Sequence, residues 1–481
     1  MRLSNFRGKK EVPVGMKRRV IALALAGLMA VSAAGCGSSG GSSSGGSAST
    51  EESGAEESQD KAVAGNKDAE NKLVIWTLAD DLKQFAEHYC EENTDTQIET
   101  VVIAPADYLT KIQSAMRGKA KEPDIIVAEP QMLDTMYEAG YLEDLDQEPY
   151  NAQQYAENMV DYVWQAGQDA DGVQRAVSYQ ITPAAIYYRR DIAQEVFGTE
   201  DPEQIGAYFK DYNTILQTGE TLKNAGYKIF ASDGEMGYFA GDSAWVVDGK
   251  LNVDQGRKDY MDLCIDLYQN DMTAYVASWS TTWYQGMSGA IPVIDASTDV
   301  WNEEQMEEAS ESGNTTEVFA YGLPSWGVLT MREHVGDLSG KWGVCSGPAY
   351  GFSGGTFLGI NALSEKKDLA WDFIQFVTTN EDTLDWWIET SQGDVVSWIP
   401  TIEKHKEDIN EIYGGQKLYE FFLEQAEGID YSKVTKYDKA IGDAWSAAIT
   451  SIKTGEMDKE TAINNFYDTV QSTYPEIEID R

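Results

Sequence analysis

Apolar positions change period along the chain from Lys72 onward, and the changes mark out its elements. "KLVIWT" (residues 72–77) is a short β-rich run. Leu82, Phe85, Ala86, Tyr89 and Cys90 then recur at i, i+3, i+4, i+7 and i+8, one face of a helix entered at Asp80 or Asp81. "QIETVVIA" predicts a second strand, "ADYLTKIQSAMRG" a helix entered at Asp107 and closed at Gly118, "DIIVAEP" a third strand, and "QMLDTMYEAG" a helix ending at Gly140. The third strand is apolar at almost every position, as a strand covered on both faces must be. This β-α alternation predicts a parallel sheet in a doubly wound α/β domain.

A second α/β unit follows "SYQITPAAIYYRRDI". Residues 186–189 read as a strand, 191–197 as a helix, and Asp201-Pro202 opens another helix, with proline where its missing N–H is harmless. "YKIFAS" predicts a strand leading into the loop "SDGEMGYF", "DYMDLCIDLYQN" a helix, and "GAIPVID" a strand. "GGTFLGINALSEKKDLAWDFIQFVTTNEDTLDWW" predicts a strand, a helix capped by Ser364 and a second helix, and the chain is helical from about Asp430. The body exceeds the size at which a single core stops growing, so two domains are expected.

The N-terminal region has a different pattern. Lys17, Arg18 and Arg19 precede a 12-residue apolar run, shorter than the ~20 residues a spanning helix needs. With the small residues 32–35 behind it, the run reads as a secretory signal, complete from Met16 as well as from Met1. "SAAGC" resembles the lipobox of bacterial lipoproteins. That resemblance implies that residues 1–35 are removed and that Cys36 becomes a lipidated N-terminus, anchored at the extracellular face of the cytoplasmic membrane; two acyl chains suffice for stable anchoring. Twelve of the 14 residues from Gly37 to Thr50 are Gly or Ser, and an acidic, weakly apolar stretch follows. Residues 36–71 therefore read as a flexible tether.

The formal net charge is −43, which argues against nucleic acid and against docking on anionic lipid. Cys90, Cys264 and Cys345 are odd in number and widely spaced, with no CxxC, so buried thiols are expected rather than zinc ligands, with a single disulfide as the alternative. His88, His334 and His405 lie far apart, and neither GxGxxG nor GxxxxGK[ST] occurs. No metal, nucleotide or other cofactor is expected.

"KLVIWTLADDLKQFAEHYCEEN", "DYLTKIQSAMRGKAKEPDIIVAEPQMLDTMYEAGYLEDLD", "ITPAAIYYRRDI", "WYQGMSGAIPVID" and "GGTFLGINALSEKKDLAWDFIQFV" occur in that order behind the lipobox. Together they resemble the extracellular solute-binding proteins (family 1) of bacterial carbohydrate ABC transporters, the class that includes maltose-binding protein. The resemblance implies a two-lobed, type II periplasmic-binding-protein-like α/β fold, each lobe a mostly parallel sheet flanked by helices. Hinge crossings are expected near residues 179–184, 354–358 and 397–400. One lobe would comprise 72–180 plus 356–396, the other 181–355 plus 397–481. It further implies a monomeric receptor, not an enzyme, that holds a carbohydrate between its lobes and delivers it to permease subunits.

Sugars need carboxylates or amides for their hydroxyls and flat rings for their C–H faces. Ligands of open α/β sheets bind at the carboxyl ends of the strands, which nominates Asp80, Asp81, Asp107 and Glu129. Asp233 in "SDGEMGYF" and Asp295 at the end of "GAIPVID" are the second lobe's counterparts. Among 13 tryptophans, Trp283, Trp326 and Trp398 stand in loop-like contexts as stacking rings, with Trp279 and Trp301 behind them; Trp371 lies on an apolar helical face and is assigned to the core. Tyr179 would offer ring and hydroxyl at the hinge, and Gly354-Gly355 would let backbone approach the ligand. Competing assignments are the same fold binding a polyamine or peptide, a tethering lipoprotein without transport, and a secreted glycoside hydrolase. The hydrolase needs two carboxylates ~5–10 Å apart across the scissile bond, and the βα units do not repeat eight times as in a barrel.

Overall fold

The structure, a computed structural model, describes residues 60–481. The signal segment, Cys36 and the first part of the tether lie outside the described residues.

The first sheet draws on β1 (Asp60–Gly65), β2 (Asn71–Thr77), β3 (Thr96–Val102), β4 (Ile125–Ala128), β5 (Val177–Ser178) and the later strand Phe357–Ile360, in the order β1-β3-β2-β4-(357–360)-β5. The helices α1 (Asp81–Glu92), α2 (Pro105–Arg117) and α3 (Pro130–Glu138) connect its successive parallel strands or leave their ends. Each forms for the reason its pattern gives: α1 buries Leu82, Phe85, Ala86, Tyr89 and Cys90 on one face, and β4 is buried at all four positions because layers cover both its faces. Pro105 and Pro130 sit in the first turns of α2 and α3, where no partner for an N–H is needed. Asp107 is thus the third residue of α2, within its first turn, rather than its entrance.

The second sheet has the order (342–345)-β6-(318–324)-β7, with β6 at Ala184–Arg189 and β7 at Lys228–Phe230. Every residue of β6 and of the strand Val318–Pro324 is buried. The helix Gln255–Gln269 packs with the C-terminal helix Asp438–Lys453, which in turn packs on Lys459–Thr473. Trp245, Trp445 and Phe466 close that cluster.

Four details depart from expectation. Residues 60–65, assigned to the tether, form β1 and pair antiparallel with β3 from Asp60↔Val102 to Gly65↔Gln97. Only Ala64 of this strand is buried, so apolar pattern carries no signal; the free edge of β3 orders it through backbone bonds, with Lys83 holding Asp60 at 2.6 Å. The sheets are mixed rather than mostly parallel. β2–β3, β2–β4 and β7–(318–324) are parallel, but Phe357–Ile360 returns antiparallel to β4 and β5, and β6 is antiparallel to both of its neighbours. In "GAIPVID" only Ile291 and Pro292 are in strand conformation, paired with Thr315–Thr316 in a separate ribbon; Pro292 cannot donate to a ladder. The helix after Ser364 begins at Lys367 with Lys366 as its cap, while Ser364 Oγ donates to Asp124 at 2.7 Å.

Three segments lie side by side between the lobes. Ile181 N donates to Val395 O and Ser397 N to Tyr179 O, at 2.9 and 2.7 Å. Ala184 N donates to Gly351 O at 2.7 Å, and Thr182 Oγ1 to Gly354 O at 3.1 Å. Cys90, Cys264 and Cys345 are free and buried. Among the described residues no helix is long and apolar enough to cross a membrane, and no group of His, Cys, Asp and Glu is placed to hold a metal.

Candidate functional site

A cavity of about 440 Å³ opens between the lobes. One wall is the end of β2 and the start of α1: Leu78, Ala79, Asp80, Asp81 and Gln84. Thr77 Oγ1 accepts from Ala79 N at 3.0 Å, and this tight turn brings both aspartates to the cavity. The end of β4 adds Glu129, in extended conformation at the position preceding α3. The opposite wall is Trp326, Leu329, Thr330, Arg332 and Glu333, on and before the helix Gly327–His334. The hinge supplies Gln180, Gly354, Gly355 and Thr356, and the floor Trp387, Thr390 and Ser391.

Trp326 is held by its Nε1–H, which donates to Ser353 O at 2.9 Å, and its ring lies 5.8 Å from that of Trp279. Gly354 and Gly355 have φ of +80° and +121°, and a Cβ on Gly354 would stand 3.3 Å from Trp326 Nε1. Glycine is therefore required there by backbone conformation and by the ring above it.

Behind the wall runs a chain of polar side chains. Tyr179 Oη donates to Asp81, and Gln180 Nε2 reaches Tyr179 Oη and Asp394 Oδ2, each at 3.3 Å. Asp394, 1% exposed, also accepts from Trp387 Nε1 at 2.8 Å and from Val395 N at 3.0 Å. Thr356 Oγ1 donates to Gln180 Oε1 at 3.3 Å. Burial, with the charge of Asp81 nearby, pushes the Asp394 carboxyl up to about 7. Burial raises Asp81, against the lowering bond from Tyr179, and burial raises Glu129.

A second cavity of about 580 Å³ is lined by Gln131, Tyr238, Tyr350, Phe352, Ser353 and Asp443 among others. Neighbouring residues line the two: Ser353 the second and Gly354 the first, and Gln131 of the second donates through Nε2 to Glu129 of the first.

Of the residues nominated from the sequence, Asp80, Asp81, Glu129, Trp326, Gly354 and Gly355 line the first cavity. Tyr179 is fully buried and reaches the cavity only through Asp81. The remaining five lie elsewhere. Asp107 is exposed in the first turn of α2. Asp233 is buried in an ion pair with Lys453 at 2.6 Å. Trp283 is a core residue, 1% exposed, whose Nε1–H donates to the buried Glu235 at 2.7 Å. Asp295 is spent on its own turn, accepting from Ser297 N at 2.8 Å. Trp398 is buried against Tyr155, ring centroids 6.1 Å apart. Gln84, Gln180, Thr356, Arg332 and Trp387 were not nominated. Gln180 stood one residue from Tyr179 and Thr356 one residue from Gly355, both in segments already marked as hinge; Gln84, Arg332 and Trp387 gave no such signal.

The profile of the bacterial extracellular solute-binding proteins matches residues 83–397. The chain belongs to this family. Solved structures share the fold along nearly their whole lengths. An extracellular solute-binding protein of family 1 has a TM-score of 0.68 at 15% identity, covering 84% of this chain and 99% of that one. The ABC transporter associated binding protein from B. animalis subsp. lactis Bl-04, solved with beta-1,6-galactobiose, has a TM-score of 0.63 at 19% identity, with coverages of 85% and 100%. The sugar-binding protein MalE from Xanthomonas citri has a TM-score of 0.62 at 16% identity, with coverages of 84% and 97%. The solute-binding-protein fold explains why the cavity lies where it does: each lobe presents strand ends and helix starts to the other, and the hinge segments form its back.

Proposed function

We propose that this solute-binding protein captures a carbohydrate between its lobes and delivers it to the permease of an ABC transporter, while held at the cell surface by a lipid on Cys36. The observation that carries the reading is that Trp326 of one lobe and Asp81 and Glu129 of the other line one cavity. An indole face suits the C–H face of a sugar ring, and carboxylates and the Gln180 amide suit its hydroxyls. The cavity volume of about 440 Å³ leaves room for more than a single sugar ring and favours an oligosaccharide. The anchor rests on the basic cluster, short apolar run and "SAAGC" of the sequence.

The mechanism is a population shift. Ligand touches both walls only when the lobes are closed, so it stabilises closure by its differential affinity for that state, and the permease reads the closed form. No bond of the ligand is made or broken, and the receptor acts as a monomer. Calorimetric titration of the full chain in detergent, against malto-, cello- and galacto-oligosaccharides, tests the reading. Micromolar binding without product is expected. Heat only from a peptide or polyamine would overturn the carbohydrate assignment, and product formation would overturn the receptor assignment.

A further inference from the structure

We infer that Trp279, beside Trp326, is a second saccharide-contacting ring and sets a preference for longer chains. The inference deepens the carbohydrate-receptor reading and rests on it; it adds a contact beyond the residues that line the cavity. Three rings touch Trp279: Trp283 at 4.8 Å between centroids, Trp326 at 5.8 Å with planes 33° apart, and Tyr284 at 6.4 Å. Trp283 is itself fixed. It is buried, its Nε1–H donates to Glu235 at 2.7 Å, and its carbonyl accepts from Tyr321 Oη at 3.0 Å. Trp279 therefore rests on a ring that cannot yield, next to the ring that lines the cavity, and is still 39% exposed.

The backbone points the same way. Trp279 has φ +70°, in the left-handed region, where an L side chain of this bulk is an outlier. It is the third residue of a turn closed by Ser280 N, which donates to Ala277 O at 3.2 Å. Glycine fills a left-handed turn position at no steric cost. The turn runs straight into the helix Thr281–Ser288, which Ser280 Oγ caps by accepting from Trp283 N at 3.3 Å, so the indole is held in place from both sides. Packing on three rings offsets part of the backbone cost, yet leaves more than a third of the residue in water. A large ring kept in an unfavourable conformation beside a binding cavity points to contact with the ligand. An indole presents a flat apolar face to the C–H face of a sugar ring. Two indoles side by side offer such faces to successive rings of one chain: a saccharide with one ring on Trp326 reaches Trp279 with the next.

The test titrates the full chain in detergent with glucose, galactose and the malto-, cello- and galacto-oligosaccharide ladders. Wild type is compared with Trp279→Gly and Trp279→Asn, two residues at ease in the left-handed region, and with Trp279→Phe, which keeps a ring. In the ladder that binds wild type, the longest members are expected to bind about fivefold more weakly or worse to the glycine and asparagine variants. The shortest binding member is expected to change less than about twofold, and Trp279→Phe to recover most of the loss. An equal loss at every length overturns the inference, because the ring would then act only by supporting Trp326. Unchanged or tighter binding in the ringless variants, or binding of wild type to monosaccharides alone, also overturns it and leaves the carbohydrate reading standing. No binding of any saccharide to wild type overturns both.

Discussion

Replacing Asp394 by Asn is expected to flatten the pH dependence of stability. In the unfolded chain an aspartate titrates near about 3.9, whereas in the fold Asp394 is pushed up to about 7 by burial and by Asp81. Between these values the folded chain holds a proton that the unfolded chain has released. Unfolding therefore releases a proton, and stability falls as pH rises, by about 1.4 kcal/mol per pH unit across that window. Integrated from about pH 5 to about pH 8, this single group removes about 2.5 kcal/mol. The asparagine has no proton to lose, so the variant is expected to gain that amount relative to wild type over the same range. Its amide oxygen still accepts from Trp387 Nε1 or from Val395 N, but not from both sides, so the variant starts with a deficit of about 1 kcal/mol at low pH. Urea unfolding followed at several pH values reads both quantities. Parallel stability profiles for the two proteins would refute the argument, because Asp394 would then ionise no differently in the folded and unfolded chains. Glu235, which burial pushes up to about 8, contributes a similar slope and remains in both proteins, so only the difference between them is diagnostic.

Three further outcomes are expected. Trp326→Ala removes a cavity wall and the bond to Ser353, and is expected to weaken saccharide binding about fivefold to tenfold in calorimetry. Gly354→Ala forces an L side chain to adopt φ +80° beneath Trp326, and is expected to lower stability by about 1–2 kcal/mol in urea unfolding and to weaken binding with it. Cys36→Ser is expected to move the protein from the membrane fraction to the medium, read by fractionation and immunoblot.

The first lobe was legible because its signals are local. The repeat of Leu82, Phe85, Ala86, Tyr89 and Cys90 needs only a window of one helix, and the apolar run of β4 only four residues. The cavity residues at strand ends followed from that topology, which is why Asp81 and Glu129 were found. Residues whose surroundings come from distant segments were not. Asp233 looks like a free loop carboxylate until Lys453 arrives from the C-terminal helix. Trp283 looks like a loop ring until Glu235 and Tyr321 enclose it. Trp387 and Asp394 meet Gln180 across more than 200 residues of chain, and no pattern within one element encodes that meeting. β1 is the opposite case: its backbone, not its side chains, secures it, so apolar pattern could not mark it.

Hydrogen exchange measured by mass spectrometry, with and without saturating saccharide from the titration panel, tests most directly whether solute is held between the lobes. The account predicts slowed exchange at residues 78–81 of the first lobe, 326–330 of the second and 354–356 of the hinge, all in the same complex. Protection confined to one lobe, or lying away from these segments, would contradict it.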